Sequence, residues 1–154
     1  MAYPVTKKTL TAQPVLAVRR TITPDGIAKA LSEMFPQVAV FLQQNGIAMA
    51  GAPYARYLSM KGNEWVIEAG FPVAASVAGS GEVTAETLPG GPAAFTLHAG
   101  HYNKLRDAHS AVHDWIVEQK LDPAGAPWES YITDPGQHPD PKDWKTEVYV
   151  PLKS

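Results

Sequence analysis

The chain reads as an α+β protein: two tandem, pseudo-twofold β-β-α-β-β repeats that pair into one antiparallel sheet, with both helices on one face. Three observations predict this. EWVIEAGFPV, Glu64–Val73, returns as DWKTEVYVPL, Asp143–Leu152, offset by 79 residues (Trp65 to Trp144). AGAPYARY, Ala50–Tyr57, returns as AGAPWESY, Ala124–Tyr131, offset by 74 residues. Two matches in the same order mark an internal repeat, and the change of offset needs only a loop of different length. Finally, each half holds one stretch of helical period between its β-rich runs.

The elements follow in order. VTKKTLT and QPVLAVRRTIT, Val5–Thr23, are β-rich runs broken at Gln13-Pro14. Thr23 can cap a helix with Pro24 at its first position, and Ile27, Leu31, Phe35, Val38 and Leu42 make its apolar stripe. Pro36 falls inside that stripe and predicts a kink or two abutting helices. The strands of GAPYARY and EWVIEAGFPV close the first repeat, about 4–76, and Val77–Gly81 (VAGSG) is a small-residue seam. The second repeat, about 80–153, opens with EVTAETL and PAAFTLHAG, joined by the turn Pro89-Gly90-Gly91. Tyr102, Leu105, Ala108, Val112, Trp115 and Ile116 keep helical spacing before the last two strands. At about 75 residues with one helix, neither repeat covers enough sheet to stand alone. Residues 1–154 are therefore expected to form a single domain.

Composition narrows the function classes. Apolar residues make up 45% and charged residues 18% of the chain, which is globular and not disordered. The net charge is −2, with no basic run longer than a pair, so direct nucleic-acid binding is not expected. No basic amphipathic helix and no long apolar run predict membrane contact. Zero cysteines exclude disulfide and thiolate chemistry and fit a reducing, cytoplasmic setting.

Strand alternation assigns faces. Trp65, Ile67, Ala69, Phe71 and Val73 share one face, as do Trp144, Thr146, Val148, Val150 and Leu152, and these should meet the helices. Glu68 and Glu147 then point from equivalent positions onto the opposite, open face. Tyr149 lies beside Glu147, and Gly70 leaves room for a close approach to the backbone. An isolated strand Glu on such a face is ordinarily a solvated carboxylate. Recurrence in both halves, and four more aromatic residues on the neighbouring strands, argue for a ligand cleft. Parity groups Tyr57 with Tyr131 and Tyr54 with Trp128 without deciding which pair faces the cleft. The candidate ligand-binding set is Tyr54, Tyr57, Glu68, Trp128, Tyr131, Glu147 and Tyr149. Rings with one or two carboxylates suit a flat, hydrophobic and often cationic molecule, through stacking, cation–π attraction and charge neutralisation.

Other motifs carry less. His109 and His113 have i, i+4 spacing, but HSAVH lacks the Glu of a zinc-protease helix and no third ligand is evident, so no metal and no cofactor are expected. His98 and His101 flank a strand–helix turn. Ser76, Ser80 and Ser130 lack a nucleophile-elbow context, and GSG at Gly79–Gly81 is too short for a phosphate loop. DPGQHPDPKDW, Asp134–Trp144, is a Pro-rich connector or a lid rim.

HAGHYNKLRDAHSAVHDWI, His98–Ile116, carries an H-x-G-x-Y-x-x-L…W pattern at His98, Gly100, Tyr102, Leu105 and Trp115, followed by PWESYITDP and DWKTEVYVPL. In this order the motifs resemble the GyrI-like effector-binding family, the drug-sensing domains of multidrug-responsive transcription activators and their stand-alone relatives. GAPYARY and EWVIEAGFPV extend the resemblance, more loosely, over the first half. It implies a ligand cleft where two β-β-α-β-β modules meet, with Glu147 as the acidic residue that meets cationic drugs. The β-rich pattern begins at Val5, so a helix-turn-helix segment is not expected.

Some stand-alone relatives are similar to hydrolases that open cyclopropane-bearing aromatic toxins; others resemble gyrase-inhibitory or gyrase-protective proteins. Two main classes follow. One is a binding module for hydrophobic, planar, often cationic small molecules, in drug sensing or sequestration. The other is a small hydrolase with Glu147 as general acid or base, where Tyr57, Tyr131 or Tyr149 could contact the developing charge. A protein partner in DNA management is a third reading. Ligand identity and oligomeric state are not encoded in these patterns.

Overall fold

The computed structural model describes residues 3–133 and 137–154. The architecture is α+β, with antiparallel strands and two helices. In chain order the strands are β1 (Thr6–Leu10), β2 (Gln13–Ile22), β3 (Tyr54–Lys61), β4 (Glu64–Pro72), β5 (Thr84–Leu88), β6 (Gly91–Ala99), β7 (Trp128–Tyr131) and β8 (Lys145–Pro151). Helix α1 spans Ile27–Gln44 and α2 spans Leu105–Glu118. The expected connector Asp134–Trp144 begins outside the described residues and ends in a 3-10 turn at Pro141–Asp143.

Two compact units result. The first, Ala12–Pro89, orders its strands β5-β2-β4-β3. The second joins the segment ending at Thr11 to Gly90–Ser154 and orders them β1-β6-β8-β7. Strand for strand the two orders match, as a repeat requires. The units are nevertheless cut differently from the sequence repeats. β1, which opens repeat one, pairs with β6, Thr6 facing Phe95. β5, which opens repeat two, pairs with β2, Leu88 facing Gln13. Each repeat thus lends its first strand to the other repeat's unit. Only Thr11 and Ala12 separate β1 from β2, and the chain runs on instead of folding back into a hairpin.

In the first unit the core joins Ala30, Met34, Val38 and Leu42 of α1 to Leu16, Val18, Ile67, Ala69, Phe71 and Val73. The strand face is the one that alternation assigns. The helix stripe is rotated from the expected one: Ala30 and Met34 lie at its centre, while Leu31 and Phe35 pack at its flank. Small and flexible side chains let the helix settle close to the sheet, and the bulkier ones fill the margins. Pro36 neither ends nor divides α1. Pro36 and Ser32 are both exposed, so the Ser32 carbonyl that loses its i+4 donor can turn to water. Thr23 precedes the helix in extended conformation, but its side chain makes no capping hydrogen bond; Gly26 N–H donates to the Thr23 carbonyl at 2.9 Å instead.

In the second unit Leu105, Ala108, Val112 and Ile116 of α2 pack on Ala94, Val148 and Leu152, flanked by Tyr102, Trp115 and Tyr131. The 3-10 turn Tyr102–Lys104 that leads into α2 is capped by His101, whose Nδ1 accepts from Asn103 N–H at 3.0 Å. His98 is buried and holds the same turn: its Nδ1 lies 2.9 Å from the Tyr3 hydroxyl and its Nε2 lies 3.0 Å from the His101 carbonyl.

Candidate functional site

Residues paired across antiparallel strands share a face, so the register lays out the side of each unit's strands away from its helix. In the second unit one row across the strands reads Phe95–Tyr149–Trp128. The adjacent row reads Leu97–Glu147–Ser130. Tyr149 stacks on Trp128 with ring centroids 5.3 Å apart and planes 21° apart, and meets Phe95 at 5.1 Å and 41°. The Tyr149 hydroxyl donates to Glu147 Oε1 at 3.0 Å. Burial, then the charge of Glu147 and this hydrogen bond, hold the phenol well above its ordinary titration range. Glu147 itself is half-buried and, among the described residues, makes no ion pair.

The equivalent positions of the first unit are built differently. Register places Glu68 between Arg19 and Arg56, and replaces the aromatic row with Ala17, Gly70 and Tyr54. Glu68 is 1% exposed. Its Oε1 accepts from Arg19 Nε at 2.9 Å and its Oε2 accepts from the Tyr54 hydroxyl at 2.7 Å. Arg19 also reaches Glu86, with Nη2 3.0 Å from Oε1. Burial by itself would lower the Arg19 guanidinium, but the hydrogen bond and charge of Glu68, with Glu86, outweigh it and raise it. Burial, followed by the charge of Glu68, raises the Tyr54 phenol far above its ordinary range. Glu68 is therefore a carboxylate with its own internal cation. Gly70 gives no room to a ligand: a Cβ there would lie 2.0 Å from the Leu16 carbonyl oxygen, so the neighbouring strand already fills the space.

Tyr57 and Tyr131 lie on the helix side. Tyr57 pairs with Ile67, packs against the first core and meets Trp65 edge-on at 6.3 Å. Tyr131 pairs with Thr146, meets Tyr102 at 5.5 Å and donates to Glu129 Oε1 at 2.6 Å. Glu129 is buried, and its Oε2 stands 2.7 Å from Nε2 of His109. His109 thus has a buried carboxylate as its partner; among the described residues no group of three or more His, Asp or Glu side chains is gathered as a metal site.

The structure thus brings together Trp128, Glu147 and Tyr149 in one unit, and Tyr54 and Glu68 in the other. Phe95 and Arg19 escape a reading of alternation alone, because only the pairing register sets Phe95 beside Tyr149 and Arg19 beside Glu68. The positions equivalent to them are Ala17 for Phe95 and Leu97 for Arg19, so neither feature recurs in the other repeat.

The family model described as GyrI-like small molecule binding domain matches residues 3–153. Among curated proteins none matches the chain. Of solved structures, the C-terminal domain of EcmrR is similar over 100% of this chain and 99% of its own, with a TM-score of 0.87 and 20% identity. Against EcmrR in a DNA complex the chain covers 59% of that chain. SAV2435 bound to tetraphenylphosphonium is similar over 100% of this chain and 95% of its own, with a TM-score of 0.65 and 14% identity. A hydrolase from Listeria innocua is similar over 99% and 93%, with a TM-score of 0.67 and 13% identity. At these identities each likeness is one of fold. Among the described residues no helix is long and apolar enough to cross a membrane.

Proposed function

The chain belongs to the GyrI-like small-molecule-binding family, and from that premise we propose that it binds hydrophobic, planar, cationic aromatic molecules on the open face of the second unit. The observation that carries this is the contrast between two equivalent carboxylates. Glu68 is neutralised from within by Arg19, whereas Glu147 has no basic partner among the described residues and borders the Phe95–Tyr149–Trp128 row. A half-buried carboxylate costs desolvation that a bound cation offsets, and the rings add stacking and cation–π attraction. The bound tetraphenylphosphonium of SAV2435, a tetrahedral cation bearing four phenyl rings, accords with the cationic and aromatic parts of this reading and not with planarity. In it Glu147 and Tyr149 contact the positive charge and Phe95 the ring, while Trp128, only 4% exposed, backs Tyr149 from within. Tyr54 with Glu68, and Tyr57 with Tyr131, hold the fold.

The test is a fluorescence titration with an acridinium dye and a neutral acridine of the same shape, on the native chain and on Glu147→Gln. The variant should bind the cation about tenfold to a hundredfold more weakly, as expected for a lost charged contact of about 1.5–3 kcal/mol, and the neutral ring nearly unchanged. Equal losses for both ligands, or none for the cation, would overturn the reading. The hydrolase reading is separated by mass spectrometry after incubation with a cyclopropane-bearing aromatic electrophile. A product heavier by one water, absent with Glu147→Gln, would make Glu147 a proton carrier in catalysis.

A further inference from the structure

The open face of the second unit carries a second charge that, among the described residues, has no ion-pair partner. Lys8, on β1, holds its Nζ 3.6 Å from the Phe95 ring centroid. Among the described residues it makes no ion pair, and neither does Glu147. Along β6, Lys8 pairs with Ala93 and Glu147 with Leu97, while Phe95 and its aromatic row lie midway. The two charged side chains are thus rooted about 16 Å apart, about 13 Å along β6 and about 10 Å across it, at opposite margins of one aromatic floor. Lys145, the next residue on this face beyond Glu147, stands on the side away from the row. On this face, among the described residues, no other charged residue is registered between the two poles on β1, β6, β7 or β8; Lys7 and Glu129, registered between them, lie on the opposite face.

We propose that this face selects dipolar planar aromatics, Glu147 taking the positive end and Lys8 the negative end. The inference rests on the binding reading above and adds a second specificity residue to it. A purely cationic ring satisfies Glu147 but leaves its far end beside an ammonium group. A ligand with an anionic far end meets a complementary charge at each margin, and the ammonium need only swing from the ring face to reach it. The opposite charges then fix the ligand's direction along the row as well as its affinity.

The experiment compares an aminoacridinium dye carrying a carboxylate at one end of its long axis with the methyl ester of the same dye, at low salt. The native chain should bind the acid about three- to fivefold more tightly, the scale of an exposed ion pair, with the ratio shrinking as salt is added. Lys8→Met should bring the ratio to about one and Lys8→Glu should reverse it. Lys61→Met, which removes an exposed lysine at the end of β3, should keep it. If the native chain binds acid and ester alike, or if Lys8→Met retains the preference, this inference fails while the binding reading stands. If neither dye binds, both fall.

Discussion

The carboxylates at 68 and 147 show how one residue type takes two roles through its neighbours. Tyr54 is buried and its hydroxyl satisfies one oxygen of Glu68. Tyr54→Phe leaves that oxygen without its donor and should cost about 1–3 kcal/mol, measured by urea unfolding. A loss below a few tenths would show that the oxygen finds another donor. The same phenol predicts a pH dependence. Its folded-state pKa is raised above the ordinary value of 10.0, so its contribution is fully present below that value and is lost as pH rises through the folded one. Between about pH 10 and 12, the native chain should therefore lose more stability than Tyr54→Phe does. Parallel decline in both would place the alkaline sensitivity elsewhere.

At the level of elements, α1 keeps a proline in its interior and remains continuous. Because Pro36 is exposed and packs against nothing in the core, Pro36→Ala should restore one backbone hydrogen bond without removing a contact. The gain should reach up to about 3 kcal/mol, less what the freer unfolded chain takes back. A thermal melt should move up about 2–4 °C for each kcal/mol in a chain of this size. A lowered midpoint would mean that the helix needs the proline's geometry. Alternation made the strand faces legible, since Ile67, Ala69, Phe71 and Val73 could be placed beneath a helix from spacing alone. The helix stripe was less legible. Met34 and Phe35 are adjacent apolar residues, and only the packing of α1 on β2 and β4 decides which of them points at the centre.

For the molecule as a whole, the exchange of first strands makes the second unit depend on two distant stretches of the sequence, whereas the first is one continuous stretch, Ala12–Pro89. Removal of residues 1–11 takes β1 away from β6, together with the Tyr3–His98 contact and the hydrogen bond from the Thr96 hydroxyl to the Pro4 carbonyl. Hydrogen exchange should accelerate at the β6 amides that face β1 and spread through Gly90–Ser154, while Ala12–Pro89 keeps its protection. Equal acceleration in both units, or none at β6, would contradict this dependence.

Much of this protein was decided by its sequence alone. The repeated strings established the duplication, alternation put Glu68 and Glu147 on the face opposite the helices, and the His98–Trp115 motif pointed to the family. All of these are local properties, because a strand's period of two and a helix's period of 3.6 are set by the backbone of each residue in turn. Tertiary structure decided the rest: that β1 belongs with β6, that Arg19 and Tyr54 close on Glu68, and that Phe95 and Trp128 flank Tyr149 while Tyr57 and Tyr131 turn to the helices. Those outcomes depend on which distant strand lies alongside and at what register. A shift of one residue there would exchange the faces, and no spacing within a single strand records its partner.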